Sequence, residues 1–224
     1  MARNISKPNS RNRWEDHYTR KARKENFPAR SVYKLQEMQK RYRLIHPGNR
    51  VLDLGCAPGS WLKYTAQIIG PRGLALGLDL KPVKLELPKH AQVIVADIFD
   101  LNDDVNAMLS RKFHCILSDM APATTGHKDV DAARSLNLCE SALDIARQYL
   151  MDGGRFVCKI FQGPDSPAFI ESIKHNFTRC HIYKPQSSRK ASREISVSYT
   201  HLRAHETSLP ISYAVFCLKR GGGG

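Results

Sequence analysis

Val51-Leu52-Asp53-Leu54-Gly55-Cys56-Ala57-Pro58-Gly59-Ser60-Trp61 reads as a buried strand running through a Gly-rich turn into a helix. Gly77-Leu78-Asp79 then reads as the end of a second strand, closed by a carboxylate. Gly55 and Gly59 lack a Cβ, so the backbone can turn sharply and a ligand can lie against it, while Asp79 at the next strand end can accept both hydroxyls of a ribose. This is the layout of a nucleoside cradle. A dinucleotide fold would want G-x-G-x-x-G to seat a pyrophosphate on a helix N-terminus, and here the two glycines stand four apart. S-adenosylmethionine, a nucleoside cofactor without phosphate, suits the spacing better, with Asp53 available for its methionine end. A Gly-x-x-x-Gly pair also marks ordinary strand-to-helix turns. The weight comes from the carboxylates that close apolar runs, Asp79 after Leu74–Leu78 and Asp97 after Val93–Ala96.

Outward from this stretch, apolar runs alternate with helical patterns. Strands are predicted near 50–54, 74–79, 92–96, 113–118, 155–161 and 180–184, and helices near 59–69, 103–110, 131–150 and 166–176. A further amphipathic helix is predicted from Ser31, a candidate N-cap, to about Tyr42, because Val32, Leu35 and Met38 recur every three residues; His46-Pro47-Gly48 is its expected stop. Strand and helix in alternation imply a mainly parallel α/β sheet covered on both faces. In such sheets ligands lie beyond the carboxyl ends of the strands, where Asp53, Asp79, Asp97, Asp119 and Lys159 all fall.

The chain has 224 residues, enough for one domain with a substantial core, and a net charge of +14. The excess is uneven, since residues 1–50 hold fourteen Lys/Arg against four Asp/Glu. Residues 1–29, with Trp14, Tyr18 and Phe27 among the basic side chains, suit a partly ordered arm that grips a nucleic-acid backbone and stacks on bases; a solvated basic arm is the plainer alternative. The six cysteines form no C-x-x-C pair and read as reduced thiols of a cytoplasmic protein. The histidines show no metal-ligand spacing, so no metal is expected. No apolar stretch approaches the roughly 20 residues needed to span a bilayer, and the first residues lack a signal core.

Two residues stand out chemically. Asp119 follows the strand-like Phe113–Ser118, and Lys159 interrupts the apolar Phe156-Val157-Cys158-Lys159-Ile160-Phe161. An unpaired buried ammonium is costly, so Lys159 needs a partner, and Asp119 on the neighbouring strand is the natural one. Lys34 on the first amphipathic helix and Glu194 in Ser192-Arg193-Glu194 complete a possible Lys-Asp-Lys-Glu group, which spacing alone would not assemble.

These four residues, in Ser31-Val32-Tyr33-Lys34-Leu35, Leu117-Ser118-Asp119-Met120-Ala121-Pro122, Val157-Cys158-Lys159-Ile160-Phe161-Gln162-Gly163 and Ser192-Arg193-Glu194, resemble the signature of the FtsJ-like ribosomal RNA methyltransferases. The resemblance runs from about Asn12 to Ile195. It implies a Rossmann-like, seven-stranded, S-adenosylmethionine-dependent methyltransferase fold with the last strand antiparallel. It also implies 2′-O-methylation of a uridine in 23S ribosomal RNA of the large subunit. Lys34, Asp119, Lys159 and Glu194 would be catalytic; Asp53, Gly55, Pro58, Gly59, Trp61, Asp79, Asp97 and Asp119 would bind the cofactor. A ribose hydroxyl is a weak nucleophile, so a proton acceptor is wanted, and Lys159 is the candidate. Lys34 and partial burial would favour its neutral amine, whereas Asp119 would orient it and favour the ammonium. The same reaction on tRNA, or a non-catalytic RNA-binding assembly factor on this scaffold, are the alternatives. The expected partner is large-subunit rRNA or the 50S subunit, without membrane, and the protein is expected to be a monomer.

The end of the chain reads differently. Val197-Ser198-Tyr199-Thr200-His201-Leu202-Arg203-Ala204-His205-Glu206-Thr207 and Ile211–Leu218 resemble successive in-frame translations of a sequencing-library adapter, with Gly221–Gly224 as a run of spurious base reads. The organisation read from the sequence is therefore an RNA-binding arm (1–29), a methyltransferase domain (30–196) and a non-native tail (197–224). The natural last strand would be truncated or replaced after Glu194. Residues 198–210 are expected to pack little, and Ile211–Leu218 is the expected substitute strand.

Overall fold

A computed structural model describes residues 10–174, 176–188 and 192–202, excluding the side chains of 10–16 and 201. The elements in chain order are α1 (Ser10–Lys24), α2 (Val32–Tyr42), β1 (Arg50–Leu54), α3 (Ser60–Ile69), β2 (Leu74–Asp79), β3 (Ala91–Val95) and α4 (Asp103–Leu109). There follow β4 (Phe113–Ser118), α5 (Lys128–Tyr149), β5 (Leu150–Phe161), α6 (Ser166–Lys174), β6 (Phe177–Tyr183) and β7 (Glu194–Leu202). They form one sheet in the order β3-β2-β1-β4-β5-β7-β6. Paired strands from β3 to β5 run parallel, and β7 lies antiparallel between β5 and β6. This is the mainly parallel α/β sheet expected from the alternation, in the seven-stranded Rossmann-like form with an antiparallel last strand that the resemblance implies. Among the described residues no helix is long and apolar enough to cross a membrane, and no side-chain cluster could hold a metal ion.

Alternation along each strand sends side chains to two different covers. Leu52, Leu54, Ile116, Phe156, Cys158 and Ile160 pack with α5 and α6 through Cys139, Ala142, Leu143, Phe169 and Ile173. Val51, Cys115, Leu117 and Val157 pack beneath α2 and α3 through Leu35, Met38, Trp61, Leu62 and Ala66. Lys159 has the parity of Val157, Asp119 that of Leu117, and Asp53 that of Val51. All three therefore belong to the sheet face that α2 covers.

Three expectations change. Ser31 does not cap α2 with its side chain; its carbonyl instead accepts the indole N–H of Trp61 at 2.8 Å. The helix stops at Tyr42, because Arg43 is left-handed (φ 49°) and its N–H returns to the Gln39 carbonyl, well before His46-Pro47-Gly48. The basic N-terminal region is also less arm-like than its charge suggested. Ser10–Lys24 is helical, and Ala22 and Phe27 are buried with Val32 and Tyr33 in a small third core that Tyr18 and Tyr64 flank.

The largest correction concerns the tail. Val197, Ser198, Tyr199, Thr200 and Leu202 are buried in β7, contrary to the expectation that residues from 198 onward pack little. The slot is filled by this segment and not by Ile211–Leu218, which lies outside the described residues. The reason is local chemistry: Ile195-Ser196-Val197-Ser198-Tyr199-Thr200 alternates apolar and hydroxyl side chains with the period a strand needs. Tyr199 enters a group with Phe156 and Phe177 at ring separations of 6.0 and 5.4 Å, each such pair contributing about 0.5–1.5 kcal/mol beyond burial. Because β6 pairs only with β7 in the sheet order, this segment also joins β6 to the rest.

Candidate active site

The turn after β1 is shaped by backbone. Gly55 (φ 75°) and Gly59 (φ 105°) occupy conformations that other residues rarely adopt, around an exposed Pro58 whose peptide bond to Ala57 is cis. The Gly55 and Cys56 N–H groups donate to the Leu78 carbonyl at 2.8 and 3.3 Å, tying the turn to the end of β2. Asp79 fixes it further: Oδ2 accepts the Ala57 N–H and Oδ1 the Lys81 N–H, both at 2.9 Å. Each Asp79 oxygen retains a second lone pair for a ligand hydroxyl. Asp97, two residues past β3, spends Oδ1 on the Phe99 N–H (3.0 Å), an Asx-type turn, and keeps its other oxygen. Its position beside the end of β2 follows from the Ala96 N–H bond to the Asp79 carbonyl.

Asp53 lies below this turn, 1% exposed, and its Oδ2 has no hydrogen-bond partner. Burial, then the charges of Asp119 and Asp79, push its carboxyl well above the usual carboxylate range. Trp61 differs from its sequence-based assignment to the cofactor. Its side chain is buried against α2 and its only polar group is used by Ser31, so it serves the packing of α3.

The four charged residues come together from four elements. Ser118 pairs with Cys158, which sets Asp119 beside Lys159, and Asp119 Oδ1 is 3.1 Å from Lys159 Nζ. Lys159 Nζ also donates to the Asp119 carbonyl at 2.5 Å. Lys34 Nζ, reaching down from α2, is 3.6 Å from Asp119 Oδ1 and 2.8 Å from Glu194 Oε1. Glu194 arrives because β7 is antiparallel: its first residue, paired with Phe161, enters at the end where the parallel strands finish. The period of two gives Glu194 the same face as Lys159. Burial draws the Lys34 amine downward, but Asp119 and Glu194 outweigh it, so the net direction is upward and Lys34 stays cationic. Lys159 is 5% exposed; its nitrogen donates to the Asp119 carbonyl and lies close to Asp119 Oδ1 without a directed hydrogen bond to it.

Two carboxylates missed in the sequence secure the loops around this group. Asp131 in the first turn of α5 accepts the Thr125 N–H (2.7 Å) and hydroxyl (2.9 Å) and the Gly126 N–H (3.2 Å), which hold its carboxyl below the usual range. Its place in the first turn of a helix was the available signal. Glu37 does the equivalent for the chain that follows β6, and its position three residues after Lys34 was the available signal.

The FtsJ-like methyltransferase family matches residues 27–201. The chain is 53% identical to the ribosomal RNA large subunit methyltransferase E of Desulforapulum autotrophicum, over 87% of this chain and 96% of the relative. It is 56% identical to the protein of the same description from Desulfatibacillum aliphaticivorans, over 86% and 93%. Among solved structures, a Plasmodium falciparum protein described as a ribosomal RNA methyltransferase superposes with a TM-score of 0.68 at 25% identity. That superposition covers 79% of this chain and 98% of the other.

Proposed function

The chain belongs to the FtsJ-like methyltransferase family, and from that premise we propose that it transfers the methyl group of S-adenosylmethionine to the 2′-hydroxyl of a uridine in 23S ribosomal RNA. The observation that carries this reading is the meeting of Lys34, Asp119, Lys159 and Glu194 beside the glycine turn.

The residues present fit the cofactor. The glycine turn has no room for a Cβ at Gly55 or Gly59, Asp79 has lone pairs for the ribose, and the buried, unpaired Asp53 suits the positive charge that S-adenosylmethionine carries. Asp97 is assigned to the nucleoside end, and Gly55, Pro58 and Gly59 to the wall of the cradle. Bound there, the cofactor supplies a methyl already activated by its sulfonium. Lys159 is the group assigned to accept the hydroxyl proton at Nζ. Asp119 orients Lys159, while Lys34 and Glu194 form a pair that holds Asp119 and frames the ribose. Placement of the hydroxyl in line with the methyl accounts for much of the acceleration, because the electrophile needs no further activation.

We assign RNA binding to the basic N-terminal residues, the methyltransferase domain to 30–196, action in the cytoplasm, and a monomeric state. The test is labelled S-adenosylmethionine offered to unmodified large subunits, free rRNA and tRNA in parallel. Label on a 23S uridine ribose supports the reading. Label on tRNA alone changes the substrate, and no label on any RNA favours a non-catalytic assembly factor.

A further inference from the structure

Glu194 must be delivered to Lys34 by the chain that links β6 to β7. One carboxylate grips that chain. Glu37, one helical turn beyond Lys34 on α2, accepts the Tyr183 hydroxyl at 2.9 Å, the Gln186 N–H at 2.7 Å and the Ser187 N–H at 2.9 Å. The turn is closed by the Ser188 N–H bond to the Pro185 carbonyl (3.0 Å), and Arg30 donates to the Ser187 carbonyl at 2.7 Å from the segment before α2. Lys184 next donates to the Ser192 carbonyl at 3.0 Å, and the Ser192 hydroxyl accepts the Glu194 N–H at 3.2 Å. Glu37 thus holds residues 183–187, and from Lys184 within that stretch a second pair of contacts reaches the backbone of Glu194.

We propose that Glu37 is a positioning residue for the methyl transfer assigned above, on which this inference rests: it fastens the β6–β7 connection to α2 so that Glu194 meets Lys34 and the pair holds Asp119 in place. The helix geometry makes this economical. Residues three apart share a helix face, so α2 presents both the cation of the site and the anchor that brings that cation its partner. Hydrogen bonds from adjacent backbone N–H groups to one carboxylate are charge-assisted and directional, unlike an exposed ion pair. Burial and then Glu37 push the Tyr183 phenol up to about 12, so this third donor keeps its proton at working pH.

The test is a double-mutant cycle with E37A and E194Q in the full chain, read on undermethylated large subunits. E37A should lower kcat about tenfold at saturating RNA while leaving cofactor affinity unchanged. In the E194Q background the same change should cost less than about twofold, because the residue that Glu37 places has already lost its charge. A purely structural Glu37 predicts equal losses in both backgrounds, which would overturn the proposal. Glu37→Gln keeps one acceptor and should fall between wild type and E37A, which covers the case of poor folding. Amide exchange at Gln186 and Ser187, read without any RNA, should quicken in E37A while β1 and β4 stay protected. Unchanged exchange there would refute the clamp. A wild-type protein that methylates no RNA would overturn the reading of the previous subsection and the catalytic half of this one, with the exchange result still judging the clamp on its own.

Discussion

The glycine turn and the four-charge group sit side by side at the ends of the same strands and are built in opposite ways. The turn is local: residues 53–59, closed by Asp79 from the next strand, with a geometry fixed by positive-φ glycines and backbone hydrogen bonds. The charge group is assembled from α2, the end of β4, β5 and the start of β7. Their electrostatics differ as well. Asp53 is buried with an oxygen left unpaired, so its region is destabilised until a cation arrives. Asp119 stands between two lysines, and the second carboxylate, Glu194, balances the extra positive charge. One region leaves a buried carboxylate oxygen unpaired; the other pairs its charged side chains with one another.

The comparison is broken most directly by two substitutions with opposite signatures. Lys159→Ala should reduce methyl transfer at least about 100-fold while cofactor affinity, measured by calorimetry, stays within a few-fold, because it removes a proton acceptor and no nucleoside contact. Turnover within a few-fold of wild type would remove Lys159 from its assigned role. Asp79→Ala should raise the apparent KM for S-adenosylmethionine by roughly tenfold or more, through the loss of charge-assisted hydrogen bonds, with kcat at saturation changed far less. An unchanged cofactor affinity would show that the turn is not a nucleoside cradle.

A smaller effect tests whether RNA recognition is separate from both regions. Deleting residues 1–29 would remove the buried Ala22 and Phe27 along with the charge, so neutralisation is the cleaner experiment. Changing the exposed Lys21, Arg23 and Lys24 to Gln should lower the slope of log affinity against log salt by about 2, since each lost phosphate contact releases one counterion fewer. A purely solvated helix predicts no change in slope.

Asp53 sharpens the electrostatic contrast. The folded protein binds its proton more tightly than the unfolded chain does, so stability is greatest below the ordinary carboxyl range and falls as pH rises through and above it. Asp53→Asn should therefore raise the melting temperature of the ligand-free protein at pH 8, lose that advantage toward pH 4, and weaken cofactor binding. A melting temperature that responds identically to pH in both proteins would refute the unpaired carboxylate.

The smallest expected effect concerns the strand that carries Glu194. The segment from Val197, read from the sequence as foreign, is buried in β7, and the FtsJ-like family match runs through residue 201. Ser198 Oγ and Tyr199 Oη are buried there without hydrogen-bond partners. Tyr199→Phe should then stabilise the protein by about 1 kcal/mol in urea unfolding, the cost of an unsatisfied buried hydroxyl. Destabilisation by a similar amount would mark the hydroxyl as a native, satisfied group.

Wherever the signal was carried by neighbours in the chain, the sequence by itself was sufficient. Alternating apolar runs placed β1 to β6 to within a few residues, and Asp53-x-Gly55 through Gly59 located the turn, because period and glycine are local properties. Lys159 was conspicuous as a charge in an apolar strand with Asp119 as its natural partner, and the resemblance joined Lys34 and Glu194 to them. Only the tertiary structure decided how those companions meet: the parity of each strand, the antiparallel entry of β7 and the reach of α2 are set by packing between distant elements. It also decided that Trp61 faces the core, that Ala22 and Phe27 of the basic N-terminal segment are buried, and that Val197, Ser198, Tyr199, Thr200 and Leu202 are buried. The last case shows the physical reason most plainly, since a strand position in a sheet is filled by a segment whose apolar side chains alternate in register with its neighbours, and that register is set by distant strands.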